Sequence, residues 1–199
     1  NSANLSIRSF VNRGPEKVIG SRDGLFYINE ATGIVKSFVK PVLTSDLILT
    51  ICFYEGEYYI GTYGGGMMVL NPQTLSLKYF TQGDTELFQK GHIFCEKPAN
   101  RGNLWIGTSQ GLFCYNGQTK QIKNFTSTNS QLPEGNVYEV SFDSTGKGWI
   151  ATETGMCIYD PASQSLRSNV FPEGFVHKDK VRTIYEDAEH NLYFIREKG

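Results

Sequence analysis

Five side chains of this 199-residue chain have the chemistry that a saccharide site requires. They are Arg22, Tyr63, Gln110, Glu153 and His92. The first four lie in predicted turns that return at intervals of roughly 44 residues, and His92 lies in a connection between predicted strands. Guanidinium, amide and carboxylate groups pair with sugar hydroxyls, and an aromatic ring can stack on a pyranose. We therefore predict that these five residues bind ligand.

Catalysis is a second interpretation of the same turns. Carboxylates that could form a pair for glycoside cleavage are spread along the chain: Asp23, Asp46, Glu134, Glu153 and Asp179. No spacing selects one pair, and the sequence contains no GxSxG, HExxH or P-loop phrase. We therefore predict no catalytic residue and no cofactor.

A metal site is not indicated either. The four cysteines form no CxxC pair, and the three histidines are scattered, so no zinc-ligand spacing arises. Each cysteine lies in a predicted strand, where a single thiol behaves as a small hydrophobe. A disulfide between Cys114 and Cys157 stays open, although the one-residue difference in their strand phases argues against it.

Charge and hydropathy exclude two further classes of partner. The formal net charge is −1, from 19 basic and 20 acidic residues. No basic cluster stands out, so we expect no binding to nucleic acid or to an anionic membrane surface. The longest apolar stretch, Leu47–Tyr54, is too short for a helix that crosses a bilayer.

The turns belong to a repeat that is marked by five glycines. They are spaced by 42, 45, 44 and 44 residues: Gly24, Gly66, Gly111, Gly155 and Gly199. Each repeat reads as four short strands, A to D, and the marked glycine of the first four follows strand B at a hairpin position that favours positive φ. Strand B ends in a small residue, which predicts close approach of a neighbouring backbone: Gly20, Gly61, Gly107 and Ala151.

A period of 40–50 residues built from short strands is typical of β-propeller blades. The sequence predicts an all-β partial propeller of about four and a half four-stranded antiparallel blades. The predicted blades are 4–40, 41–84, 85–130 and 131–174, and 175–199 supplies the first two strands of a fifth. No strand is left to complete the fifth blade. We expect the exposed blade edges to favour self-association, with a dimer as the expected product.

The phrase NLWIGTSQGL, residues 103–112, resembles the two-component regulator propeller repeat. The phrase VRTIYEDAEHNLY, residues 181–193, is similar to the opening of the same repeat. The resemblance extends over essentially the whole chain, with departures at Ala151, at Ile195 and in the longer turn 98–103. WD-repeat and kelch signatures are absent.

The resemblance implies a non-catalytic fragment of a periplasmic sensor. Such sensors belong to Bacteroides-type hybrid two-component systems, inner-membrane proteins that detect oligosaccharides and control polysaccharide utilisation. The full-length parent is expected to carry a histidine kinase, and nothing in these residues resembles one. Two alternatives stay open: a protein-interaction platform, and a propeller lyase or hydrolase.

Overall fold

The computed structural model describes residues 6–83, 85–99, 102–168 and 179–197. These residues form an all-β structure with 18 strands and one short helix. The predicted blade limits at 4, 84, 174 and 175, and Gly199, lie outside the described residues. The remaining predicted blade limits stay predictions.

The strands form four four-stranded antiparallel sheets and a two-stranded sheet, in which strands follow one another in chain order. Sheet 1 contains Ile7–Arg13 (β1), Glu16–Ser21 (β2), Gly24–Asn29 (β3) and Ile34–Phe38 (β4). Sheet 2 contains Ile48–Tyr54 (β5), Glu57–Thr62 (β6), Met67–Leu70 (β7) and Leu77–Tyr79 (β8). Sheet 3 contains Ile93–Ala99 (β9), Asn103–Thr108 (β10), Gly111–Asn116 (β11) and Ile122–Phe125 (β12). Sheet 4 contains Val137–Phe142 (β13), Gly148–Thr152 (β14), Gly155–Asp160 (β15) and Ser165–Ser168 (β16). Sheet 5 contains Lys180–Glu186 (β17) and Leu192–Glu197 (β18).

The same irregularity recurs in the first strand of four sheets. The register shifts by one residue at corresponding positions: Ile7/Ser9, Ile48/Thr50, Val137/Glu139 and Val181/Thr183. A β-bulge of this kind bends and twists the strand. Its repetition shows that these sheets share one local geometry, as propeller blades do.

A helix that the sequence analysis did not predict connects sheets 2 and 3. It spans Thr85–Lys90 (α1) and buries Leu87 and Phe88. The Phe88 ring meets the Phe80 ring edge to face, with centroids 4.9 Å apart. Gly66, at the end of the β6–β7 turn, has a φ of 71°, and a Cβ there would lie 2.0 Å from the Phe88 carbonyl oxygen. This turn therefore requires glycine for conformation and for space.

The chain divides into two compact units, residues 1–96 and 97–199. In the first unit, the core contains Val18, Leu25 and Tyr27 of sheet 1 together with Ile48, Tyr58 and Ile60 of sheet 2. In the second unit, one buried cluster contains Ala151, Met156, Val181 and Ile184. All four cysteines are free thiols, and Cys114 alone among them is only half-buried.

Candidate functional site

The turn between the second and third strands of sheets 1 to 4 is closed by the same hydrogen bond. A buried hydroxyl donates to the carbonyl oxygen of the marked glycine over 2.9–3.1 Å: Ser21 to Gly24, Thr62 to Gly66, Thr108 to Gly111 and Thr152 to Gly155. The φ angles of these glycines are 127°, 71°, 117° and 142°. The candidate residues Arg22, Tyr63, Gln110 and Glu153 follow the hydroxyl residue by one or two positions. Their backbone is thus held in place.

Two of the predicted ligand-binding residues meet in the structure. The Tyr63 ring stacks on the His92 ring, with centroids 4.0 Å apart and planes inclined by 29°. Tyr63 is 51% exposed, whereas the Nδ1 atom of His92 is buried and has no hydrogen-bond partner among the described residues. The pair forms an accessible aromatic surface, which we call the Tyr63–His92 platform.

The loop beneath this platform is fixed by two hydroxyl groups. Ser45 Oγ donates to the Tyr63 carbonyl oxygen over 2.9 Å, and Thr44 Oγ1 donates to the Gly65 carbonyl oxygen over 2.6 Å. A Cβ at Gly65 would lie 2.6 Å from Thr44 Oγ1, so the contact requires glycine. The Tyr63–Gly65 part of this turn is therefore held by hydrogen bonds to two of its carbonyl groups.

The other three predicted residues do not join the platform through any described contact. Arg22 and Gln110 are exposed, and their backbone amides donate to the Ser6 carbonyl oxygen and to Thr108 Oγ1. The carboxylate of Glu153 accepts a 3.3 Å hydrogen bond from the Asn136 amide. Glu153 therefore holds its neighbouring loop.

A second surface, which the sequence analysis did not identify, is a cavity of about 400 Å³ between sheets 3 and 4. Trp105, Phe142 and Tyr159 provide its aromatic wall. Its polar lining includes Lys97, Asn103, Gln164 and the turn 143–146. The cavity lies at the strand ends remote from the turns described above, since it is lined by the β13–β14 and β15–β16 turns. Its size and mixed lining are those of small-molecule pockets.

Both carboxylate oxygens of Asp143, which lies at the rim of this cavity, accept hydrogen bonds within the protein. Its Oδ1 accepts bonds from the Thr145 amide (2.9 Å), Thr145 Oγ1 (2.6 Å) and the Lys147 amide (3.1 Å), and its Oδ2 accepts a 2.8 Å bond from Trp149 Nε1. Partial burial favours the neutral acid, but these hydrogen bonds outweigh it and lower the pKa of Asp143. The ionised carboxylate of Asp143 therefore stabilises the turn through these hydrogen bonds.

An acid is buried in β9. Both carboxylate oxygens of Glu96 are shielded from solvent, and neither has a conventional hydrogen-bond partner among the described residues. Burial raises the pKa of Glu96 well above its ordinary value, with the Cys52 thiol of β5 exerting a smaller opposing effect. Burial also raises the pKa of Cys52, and the nearby Glu96 carboxylate adds to this effect. Burial therefore favours the protonated form of Glu96.

The described residues contain no group of three or more His, Cys, Asp or Glu side chains arranged to hold a metal ion. Within the same residues, no helix has the length and hydropathy needed to cross a membrane.

Solved structures share this fold. The extracellular domain assigned to hybrid two-component system BT3049 of Bacteroides thetaiotaomicron aligns with a TM-score of 0.76 and 24% identity, over 96% of this chain and 26% of that chain. The corresponding domain of BT4673 from the same organism aligns with a TM-score of 0.76 and 20% identity, over 95% of this chain and 26% of that chain. The chain thus spans about a quarter of these domains, and the resemblance expected from the sequence is confirmed at the level of the fold.

The computationally designed protein Ika8 aligns with a TM-score of 0.63 and 12% identity, over 91% of this chain and 52% of that chain. Similarity of fold does not by itself define an activity, because one fold can host unrelated functions. No protein-family model and no curated protein sequence matches the chain.

Proposed function

We propose that this chain is part of the sensor region of a hybrid two-component system and that it binds an oligosaccharide without transforming it. The observation that carries the proposal is the fold match over 96% of the chain with an extracellular domain assigned to such a system. In this proposal the domain lies in the periplasm, and a histidine kinase belongs to another part of an inner-membrane protein.

The same proposal treats the five sheets as successive blades of a partial propeller. The repeated strand order, bulge and hydroxyl-to-glycine hydrogen bond support it. Ligand binding would favour one arrangement of the sensor over another, and the signal is then a shift of population between the two.

The Tyr63–His92 platform supports the choice of a saccharide. An exposed ring that is held by a second ring can cover the apolar face of a pyranose with little loss of side-chain entropy. In this proposal the platform binds the saccharide without cleaving it.

Calorimetric titration of the 199-residue chain with xylo-, arabino- and malto-oligosaccharides tests this function. We expect binding by at least one class, and a loss of about tenfold or more in affinity for Tyr63→Ala. Tyr79→Ala is the matched control, because Tyr79 is 46% exposed on β8 and lies outside the platform. Absence of saccharide binding, or equal binding by both variants, would contradict the proposal.

A protein-interaction role is the second candidate, and exposed apolar side chains favour it. Phe10 of β1 is 53% exposed, although its equivalents Ile51, Val140 and Ile184 are buried. Ile195 of β18 is 61% exposed. These sheet faces fit self-association of the chain. Sedimentation of Phe10→Ser against the unmodified chain tests this, with a dimer expected only for the latter; a monomer in both cases contradicts it.

A further inference from the structure

Two sheets of the second unit share a hydrogen bond between an acid and an aromatic residue six positions later. In sheet 4, Trp149 Nε1 donates to Asp143 Oδ2 over 2.8 Å. In sheet 5, the Tyr193 hydroxyl donates to Asp187 Oδ2 over 3.0 Å. The acid closes the turn between the first two strands, and the aromatic residue begins the second strand.

Sheet 3 has an aromatic residue at the corresponding position of its second strand, but it has no acid six positions earlier. Trp105 precedes Trp149 by one repeat, and the position six residues before Trp105 is occupied by Ala99. No residue in the described part of the chain accepts a hydrogen bond from Trp105 Nε1. This donor thus lacks the carboxylate that Trp149 and Tyr193 have, and solvent or a ligand in the cavity can supply an acceptor in its place.

The cavity between sheets 3 and 4 opens at this point, since Ala99 and Trp105 both line it. The Trp105 ring is fixed from two sides, by stacking on Phe125 at 5.7 Å and by a tilted contact with Tyr159 at 4.5 Å between centroids. The residue is only 2% exposed, so the little of its surface that remains accessible faces the cavity. An indole donor that is held in a rigid aromatic wall is a preformed recognition element.

The remaining polar groups of the cavity can serve hydroxyl groups. Asn103 Oδ1 accepts a 3.0 Å bond from Asn116 Nδ2, while its own Nδ2 has no acceptor among the described residues. The Lys97 and Gln164 side chains are exposed at the rim. Asp143 has no comparable capacity, because its two oxygens already accept four hydrogen bonds.

We propose that this cavity is a saccharide subsite that takes one hexopyranose unit. A ring or hydroxyl oxygen of the sugar accepts the hydrogen bond from Trp105 Nε1, in the place of the absent carboxylate. The apolar face of the sugar packs on Tyr159 and Phe142, and its hydroxyls pair with Asn103 and Gln164. The choice of ligand class rests on the proposed function; the location rests on the unpaired donor and the cavity.

The variant Ala99→Asp tests the proposal, because it restores the acid that sheets 4 and 5 carry. We expect the new carboxylate to accept the Trp105 hydrogen bond and to occupy part of the cavity. The variant should therefore melt at a higher temperature than the unmodified chain and bind sugar at least about tenfold more weakly. Asn103→Ala is the second variant, expected to weaken binding without a gain in melting temperature.

Binding is measured by tryptophan fluorescence and calorimetry of the 199-residue chain with glucose, galactose, mannose and galacturonate. Binding that is lost in Ala99→Asp but retained in Tyr63→Ala supports the cavity subsite. Binding that is lost in Tyr63→Ala and unchanged in both cavity variants overturns the subsite and leaves the proposed function standing. If no monosaccharide binds while an oligosaccharide does and is insensitive to Ala99→Asp, the subsite is likewise overturned. If no saccharide of either size binds, both proposals fail.

Discussion

Gly20 of β2 lies so close to Ile48 of β5 that a Cβ on the glycine would stand 2.5 Å from Ile48 Cγ2. Gly61 meets Ile93 in the same way, at 2.7 Å. In sheet 4 the small residue is Ala151, and it shares a buried cluster with Val181. Gly20 and Gly61 therefore face isoleucine, whereas Ala151 is buried in one cluster with the smaller Val181. The sequence analysis attributed the small residue to a neighbouring backbone; at Gly20 and Gly61 it is a β-branched side chain that requires it.

Gly20→Ala should lower the free energy of unfolding by about 1–3 kcal/mol, because the added methyl group overpacks the contact with Ile48. Urea denaturation monitored by fluorescence measures the change. The double variant Gly20→Ala with Ile48→Val imitates the Ala151–Val181 pair and should recover part of the loss. If the single variant is as stable as the unmodified chain, the contact is looser than described.

Asp143→Asn should destabilise the chain by about 1–3 kcal/mol at neutral pH, since an amide nitrogen cannot accept the Trp149 hydrogen bond. The hydrogen bonds lower the pKa of Asp143 in the folded state, so its stabilising contribution is present above the unfolded-state pKa. That contribution is lost as the pH falls through the folded-state pKa.

Chemical denaturation between neutral and acidic pH measures the difference between Asp143→Asn and the unmodified chain. The difference should shrink in acid. Ser144→Ala is the control, because Ser144 interacts with Glu186 through its backbone amide. A difference that is constant over the pH range would contradict the assigned role of the carboxylate.

Much of the fold follows from local patterns in the sequence. The spacing of the repeated glycines predicts the hairpins, and the short strand phrases predict sheets in chain order. These features depend on backbone conformation, which residues such as Gly111, with a φ of 117°, determine locally. The helix α1 was missed because its six residues are too few to produce a helical period.

The structure brings two of the five predicted ligand-binding residues into contact. Tyr63 and His92 are adjacent because two connections of one unit meet, and that contact could be anticipated from the predicted topology. The cavity depends on how the side chains of sheets 3 and 4 pack against each other, which the repeat pattern alone does not predict. Comparison of Ala99 with Asp143 and Asp187 at the repeat spacing was the available signal. The burial of Glu96 was equally hidden, since an acidic residue in a strand normally indicates a solvent-facing position.

Tyr58 links sheets 1 and 2 through an acid at a sheet end. Its hydroxyl donates to Glu16 Oε2 over 2.8 Å, and the Tyr27 hydroxyl donates to Glu16 Oε1 over 2.9 Å. Burial, followed by the Glu16 hydrogen bond, raises the pKa of Tyr58 to about 12. Glu16→Gln should lower this pKa without returning it to the ordinary value, because burial remains.

Ultraviolet titration of tyrosinate formation measures the change in Tyr58, and Tyr58→Phe identifies its contribution to the curve. Glu57→Gln is the matched control, since the Glu57 carboxylate at the start of β6 forms an ion pair with Lys78 of β8. Equal titration curves for Glu16→Gln and the unmodified chain would show that the carboxylate has no influence on Tyr58.

Glu96 occupies the repeat position at which the first strands of sheets 2, 4 and 5 carry Ile51, Val140 and Ile184. Its pKa is raised in the folded state by burial, so the folded chain holds a proton that the unfolded chain releases. Its contribution is therefore most favourable below the unfolded-state pKa and is lost as the pH rises through the folded-state pKa. Glu96→Val introduces the residue type that sheet 4 has at the equivalent position, Val140. The substitution should remove the loss of stability with rising pH and raise the free energy of unfolding by about 1–3 kcal/mol at neutral pH.

Denaturant titrations from acidic to mildly alkaline pH test the assignment of Glu96 as a buried acid with a raised pKa. The unmodified chain should lose stability as the pH rises, and both Glu96→Val and Glu96→Gln should flatten this dependence. Glu134→Gln in a connecting loop provides the control, because its removal changes the net charge equally without altering a buried site. A pH dependence that Glu96→Gln leaves intact, or that Glu134→Gln removes, would show that the buried carboxyl is not its source.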